Sequence, residues 1–318
     1  MLRKAKLALT LGTLIVLTTG WAAPLLGAAH FYALKQNRDP LAQATALLPI
    51  RFREDRSAGL LVNGWINGAG PFTFAIDSGA GVSLVTRRVV SAAGLSVTKS
   101  KRELVGGLTT APISSNEETR GAQISLGTTT NDVPGRPTLA VVPSLPGAID
   151  GILDPTDLFG TLAFSIDLPN RQLLAFDPRS NGLDLTRPPK DGAIVRWIRT
   201  TGSNRPFVKL GDGRLALIDT GSGFGLAVTD PGANGRNHSN RAVTDLGGGA
   251  VQSRAVAPTT VSIGALVLRS VPTDLLTGVP SDTPLLIGRR ALYPFKITFE
   301  PSSRLIIFEP TMRSGSAR

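Results

Sequence analysis

The chain has 318 residues and no cysteine, which excludes disulfides, thiolate-bound zinc, iron–sulfur clusters and thiol nucleophiles. His30 and His238 are its two histidines, too few for most zinc sites and awkward for a Ser-His-Asp triad, so any chemistry falls to carboxylates or hydroxyls. The formal net charge of +11 is scattered and carries no aromatic stacking pattern, which argues against nucleic-acid binding and for solubility or closeness to an anionic membrane surface.

Arg3, Lys4 and Lys6 precede an uncharged, apolar stretch from Leu7 to Leu34. That pattern predicts an export signal over residues 1–36. It is long enough for a membrane anchor, and Ala22, Ala23, Gly27, Ala28 and Ala29 also permit cleavage as a signal peptide. The basic residues stay in the cytoplasm in either case, so everything after Gln36 is expected to be exported, in a periplasmic or other extracytoplasmic space. Residues 37–48 are polar and Ala-rich, as a linker is, and the folded part is expected to begin near Pro49.

From there Gly and Pro are plentiful, charges and aromatics sparse, and Val, Ile, Leu and Thr recur in short runs, which predicts a mostly β protein. In "LLVNGWINGAGPFTFAID", Leu60 to Asp77, β-rich runs split by turn residues lead as two or three strands into an aspartate. "SLVTRRVVSAAGL" predicts a short helix with a Ser/Thr start and a stop at Gly94. Gly106-Gly107 follows, then an apolar run ending at Gly151, then two alternating strands around a Pro-Asn turn, Leu162 to Phe176.

The second half repeats the order. "PFVKLGDGRLALIDTG" runs strand, turn, strand, aspartate; Gly247 to Gly249 form a Gly cluster; an apolar run ends at Gly288; two strands around Pro-Ser-Ser close the chain. Gly106 lies 29 residues after Asp77 and Gly247 lies 28 after Asp219, while Gly151 and Gly288 lie 74 and 69 after their aspartates. Two lobes of one topology follow: 49–180 with the first aspartate and 192–310 with the second, a Pro-rich interlobe linker at 181–191 and a tail at 311–318. The polar stretch Thr229 to Ala242, with His238, is expected to be a surface loop.

A single Asp-Ser/Thr-Gly is weak evidence, since a chain of this length holds one by chance roughly one time in seven, and it also suits an Asx-turn at a strand end. Here there are two, "IDSGA" and "IDTGS", each after an apolar strand and each at the corresponding point of the repeat. If equivalent loops face each other across a pseudo-twofold axis, Asp77 and Asp219 come side by side and share one proton, because two adjacent carboxylates cannot both ionise comfortably. One member then takes a proton from a trapped water while the other hydrogen-bonds a peptide carbonyl, a mechanism that needs no metal or cofactor. Ser78 and Thr220 are expected to cross-link the two loops, and Gly79 and Gly221 to allow close approach and donate N–H groups.

The segment "NGAGPFTFAIDSGAGVSLVTRRVVSAAGL" resembles the active-site segment of bacterial retropepsin-like aspartic proteases, and "IDTGS" looks like the second motif of pepsin-like enzymes. The resemblance spans about Pro49 to Pro310. It implies a bilobal pepsin-like fold of two β-barrel-like lobes with short helices, acting as a monomer on a peptide or protein substrate. It makes Asp77 and Asp219 the catalytic pair of an aspartic endopeptidase, supported by Ser78, Gly79 and Ala80 on one loop and by Thr220, Gly221 and Ser222 on the other. Ala80 matches the retropepsin form. Ser222 matches the pepsin form, in which its hydroxyl orients Asp219. Neither flap candidate, Gly106-Gly107 or Gly247 to Gly249, has the Tyr of the pepsin flap nearby. The rival reading is a catalytically silent module of the same fold that holds a peptide or glycan. The "GSGFG" run departs from the dinucleotide fingerprint, and no G-x-S-x-G elbow occurs.

Overall fold

Two strand pairings carry the architecture, and they recur in both halves. In a computed structural model of the protein, residues 47–100, 105–106, 108, 111–112, 116–200, 203–229, 241–244, 250–280 and 283–311 are described. The expectations for the N-terminal segment, His30, His238, Gly107 and Gly247 to Gly249 lie outside them.

The first half holds β1 (Ile50–Arg51), β2 (Arg53–Asp55), β3 (Gly59–Ile66), β4 (Ala69–Ile76), β5 (Ser83–Thr86), α1 (Arg87–Ala92), β6 (Thr98–Lys99), β7 (Val105–Gly106) and β8 (Ala111–Pro112). It continues with β9 (Glu117–Thr119), β10 (Ile124–Leu126), β11 (Leu139–Val142), β12 (Gly151–Leu153), α2 (Pro155–Phe159), β13 (Ala163–Asp167) and β14 (Gln172–Phe176). The second half holds β15 (Ala193–Arg196), β16 (Phe207–Lys209), β17 (Leu215–Asp219), β18 (Leu226–Thr229), β19 (Arg241–Thr244) and β20 (Ala250–Ile263). After these come β21 (Leu266–Thr277), β22 (Leu285–Gly288), α3 (Arg289–Leu292), β23 (Phe295–Glu300) and β24 (Leu305–Pro310). The protein is mostly β, with short helices, as composition and turn chemistry predict.

One sheet runs β10, β3, β4, β12, β5, β11, β9, β6, with β2 on β3; another runs β16, β17, β22, β18, β21, β20, β19. The order β4, β12, β5, β11 in the first matches β17, β22, β18, β21 in the second. In each, the strand before the aspartate pairs in parallel with the apolar strand behind it, β12 or β22, which is antiparallel to the next strand. A third sheet, β1, β14, β13, β23, β24, β15, takes strands from both halves. Its middle joint is β13 against β23, where Phe164 faces Phe299 and their rings stack with centroids 4.8 Å apart. The buried rings of Phe159 and Trp197 close on the same stack. One continuous apolar core therefore fixes the two aspartate-bearing sheets against each other.

Local readings needed adjustment at several points. Of the two Asn-Gly pairs between Leu60 and Asp77, Asn67-Gly68 makes the turn between β3 and β4, whereas Asn63-Gly64 lies inside β3. Gly64 serves packing there: a Cβ would stand 2.6 Å from the Phe74 ring. The helix expected from Ser83 begins four residues later, at Arg87, because Ser83–Thr86 is a buried strand wedged between β12 and β11. Leu47, at the end of the expected linker, is already buried, its N–H donating to the Ala175 carbonyl.

Candidate active site

Each aspartate stands at the end of an apolar strand and is still held to the parallel strand beside it: Asp77 N–H donates to the Leu153 carbonyl at 3.1 Å, and Asp219 is in register with Gly288. β4 delivers Asp77 and β17 delivers Asp219. The two carboxyls are close enough for each to bear on the ionisation of the other, and the glycine of each loop lies against the opposite carboxyl. Asp77 is 6 % exposed and Asp219 is partly exposed.

The loops beneath are locked reciprocally. Ser78 N–H donates to Thr220 Oγ1 at 3.1 Å, and Thr220 N–H donates to Ser78 Oγ at 3.1 Å; Ser78 Oγ in turn donates to the Ile218 carbonyl at 2.8 Å. Both hydroxyl residues are fully buried, so each backbone donor finds its acceptor on the opposite loop rather than in water. Gly79 and Gly221 are required by contact: a Cβ on Gly79 would stand 2.7 Å from Asp219 Cγ, and one on Gly221 would stand 2.3 Å from Asp77 Cγ.

The pair is not symmetric. Asp77 Oδ1 accepts from Gly79 N–H at 2.8 Å and from Gly221 N–H at 3.2 Å, whereas Asp219 Oδ1 accepts from Ser222 N–H at 2.9 Å. Burial raises Asp77 above the ordinary carboxylate value, opposed by the Gly79 N–H, the Asp219 carboxyl, the Gly221 N–H and the Arg289 charge. Burial together with the charge of Asp77 holds Asp219 well above that value. Two N–H donors on Asp77 against one on Asp219 favour the charge on Asp77 and the proton on Asp219.

Ala80 follows in the first loop, its N–H donating to the Asp77 carbonyl. Ser222 reaches Asp219 through its backbone amide. Its hydroxyl, expected to orient Asp219, instead accepts from Phe224 N–H at 3.2 Å, because that turn closes on itself before the next strand. Of the flap candidates, Gly106 ends β7 in a two-stranded hairpin with β8, and Leu108 in its turn packs on the second-half cluster of Phe207, Leu217 and Phe224. A first-half hairpin therefore reaches the core of the other half.

Two residues of the site escaped sequence reasoning. Arg289, 3 % exposed, donates from Nη1 to the Thr220 carbonyl at 3.0 Å and the Gly221 carbonyl at 2.7 Å. From Nη2 it reaches the Asp55 carbonyl at 3.1 Å, and its Nε pairs with Glu54 at 3.3 Å. It bolts the second aspartate loop to the turn after β2. Its signal was an arginine directly after the apolar-Gly run "LLIG". Asp154 is the other, directly after β12 and fully buried. Register also corrects the repeat: Gly151 faces Phe74, but Gly288 faces Asp219, so the first-half equivalent of Gly288 is Asp154, one past the Leu153–Ile76 pair.

The repeated sheets thus bring two aspartates, Asp77 and Asp219, together on loops that clamp each other. Residues 62–153, which include Asp77, match the model of an aspartyl protease family of the retropepsin-like clan. No curated protein matches the chain.

Proposed function

We propose that the protein is an aspartic endopeptidase whose folded part works outside the cytoplasm. The observation that carries the reading is the placement of Asp77 and Asp219 against each other on mutually clamped loops, where a Cβ on Gly79 would stand 2.7 Å from Asp219 Cγ and one on Gly221 2.3 Å from Asp77 Cγ. The ionised Asp77 takes a proton from a water lying between the carboxyls. The water oxygen attacks the peptide carbonyl carbon, and neutral Asp219 donates a hydrogen bond to the carbonyl oxygen as negative charge grows there. Collapse of the tetrahedral intermediate returns a proton to the leaving amine. The loop locks keep both carboxyls in place without reorganisation, which is where most of the rate gain arises. The β7–β8 hairpin, anchored through Leu108 on the opposite half, is suited to cover an extended peptide.

The family match over residues 62–153 supports peptidase activity at a general level, and the internal repeat extends the reading to Asp219. Export rests on the basic start and the uncharged stretch Leu7 to Leu34. Among the described residues no helix is long and apolar enough to cross a membrane. A carboxy-terminal reporter that is active only outside the cytoplasm is expected to be active on the full chain; a signal from the cytoplasm-only reporter overturns export.

The test of the activity is incubation with a denatured protein between pH 4 and 8, with and without a statine-type inhibitor, beside Asp77→Asn. Inhibitable cleavage lost in the variant is the expected result. Binding of peptide without cleavage at any pH overturns the enzyme and leaves a binding module.

A further inference from the structure

We propose that Asp154 is a third acid of the site, electrostatically coupled to the Asp77–Asp219 pair and acting as a positioning residue that retains the pair's shared proton to higher pH. The inference rests on the peptidase reading of the pair. Its geometric basis is strand register: β12 runs parallel to β4 with Leu153 opposite Ile76, and Asp77 N–H donates to the Leu153 carbonyl at 3.1 Å, so Asp154 and Asp77 leave the sheet side by side. The corresponding place in the other half, opposite Asp219, is Gly288. The duplicated scaffold therefore functions with no side chain there, and the acid is an addition on one side only.

The surroundings of Asp154 set its chemistry. Its residue is 0 % exposed; Oδ1 accepts from Thr156 N–H and Thr156 Oγ1, both at 2.8 Å, while Oδ2 has no hydrogen-bond partner. Capping the turn of α2 needs one oxygen, which an asparagine supplies equally well. A second buried oxygen without a partner is the costly part, and it costs least when it carries a proton. From β5 the group is faced by the neutral Ser83, whose Oγ accepts the Asp154 N–H at 3.0 Å. From α2 it is faced by Thr156 and the acid Asp157, and from the loop after β4 by Asp77. No ion pair reaches it among the described residues. Burial first, then the charge of Asp157 and, more weakly, that of Asp77, push its carboxyl up to about 7.

Coupling between two acids is reciprocal. If the charge on Asp77 makes Asp154 harder to ionise, ionised Asp154 makes the pair harder to strip of its proton. Below the titration of Asp154 the acid is neutral and has no effect. Above it, the added negative charge holds the pair in its one-proton form, the form that cleaves.

Asp154→Asn tests this because it keeps the acceptor for Thr156 and removes the charge. In profiles of kcat/KM from pH 4 to 9 the alkaline limb of the variant is expected to move down by about half to one pH unit, with its acid limb superimposed on that of wild type. Superimposed alkaline limbs, or an equal fall at every pH, overturn the proposal and leave Asp154 a helix cap. A second measurement is independent of turnover: in carbon-13 carboxyl NMR of the full chain, the titration midpoint of Asp154 is expected to fall in Asp77→Asn. An unchanged midpoint overturns the coupling by itself, whereas a wild-type chain that cleaves nothing defeats only the peptidase reading.

Discussion

Gly221 N–H crosses from the second half of the chain to donate to Asp77 Oδ1 at 3.2 Å, and its Cα is so near that a Cβ would stand 2.3 Å from Asp77 Cγ. The glycine of each loop is therefore set by the carboxylate of the other. Gly221→Ala must displace either the loop or the carboxyl, and a shift of about 1 Å in such a site costs about 100-fold in rate. Steady-state kinetics on Gly221→Ala is expected to show that loss in kcat with the β content unchanged by circular dichroism.

The reciprocal lock under the carboxyls predicts a stability effect. In Ser78→Ala the Thr220 N–H loses its acceptor and the Ile218 carbonyl its donor, both in a buried setting. Denaturant unfolding is expected to show a loss of about 1–3 kcal/mol. Thr220→Ser, which keeps an acceptor for Ser78 N–H, is expected to lose less than half as much.

Arg289 is held by planar, multiple hydrogen bonding that an ammonium cannot reproduce. Arg289→Lys keeps the charge but leaves several carbonyls of two loops unpaired. A loss of about 2–4 kcal/mol is expected in unfolding experiments. Its charge lowers both Asp77 and Asp219, so moving it away is also expected to shift the acid limb of the kcat/KM profile upward.

The buried acids predict how stability depends on pH. A carboxyl whose folded value is raised favours the fold while protonated; that contribution is present at low pH and is lost as pH rises from the unfolded value through the folded one. For Asp154 the window runs from 3.8 to about 7, and the cost of ionisation reaches on the order of 4 kcal/mol at its upper end. Thermal unfolding at pH 4 and pH 8 is expected to show Asp154→Asn and Asp219→Asn stabilised relative to wild type at pH 8 and near wild type at pH 4.

Much of this arrangement was legible in the residues, for reasons that differ by element. The strand before each aspartate and the loop after it are local: an apolar run, a carboxylate, a small hydroxyl residue and a glycine read the same way in one dimension as in three. The closing strand pairs, around Pro169-Asn170 and Pro301-Ser302-Ser303, were legible as hairpins too. That β13 pairs with β23, joining the halves in one sheet through Phe164 and Phe299, was not, because a period of two specifies a buried face and not a partner. The same limit hid the register at Gly151 and Gly288, where similar apolar runs sit three positions apart relative to their aspartates. Arg289 and Asp154 were missed because their roles depend on what surrounds them once buried. The long hairpin of β20 and β21, from Ala250 to Thr277, was hidden by exposed polar residues along its length.

The central claim is that Asp77 and Asp219 work as one unit, and residues that act as a unit are not additive when removed. The most direct measurement is kcat/KM on one peptide substrate for wild type, Asp77→Asn, Asp219→Asn and the double variant. Each single change is expected to cost about 1,000-fold or more, with the double variant no worse than either. Near-wild-type turnover in either single variant, or losses that multiply in the double one, would contradict the shared-proton pair.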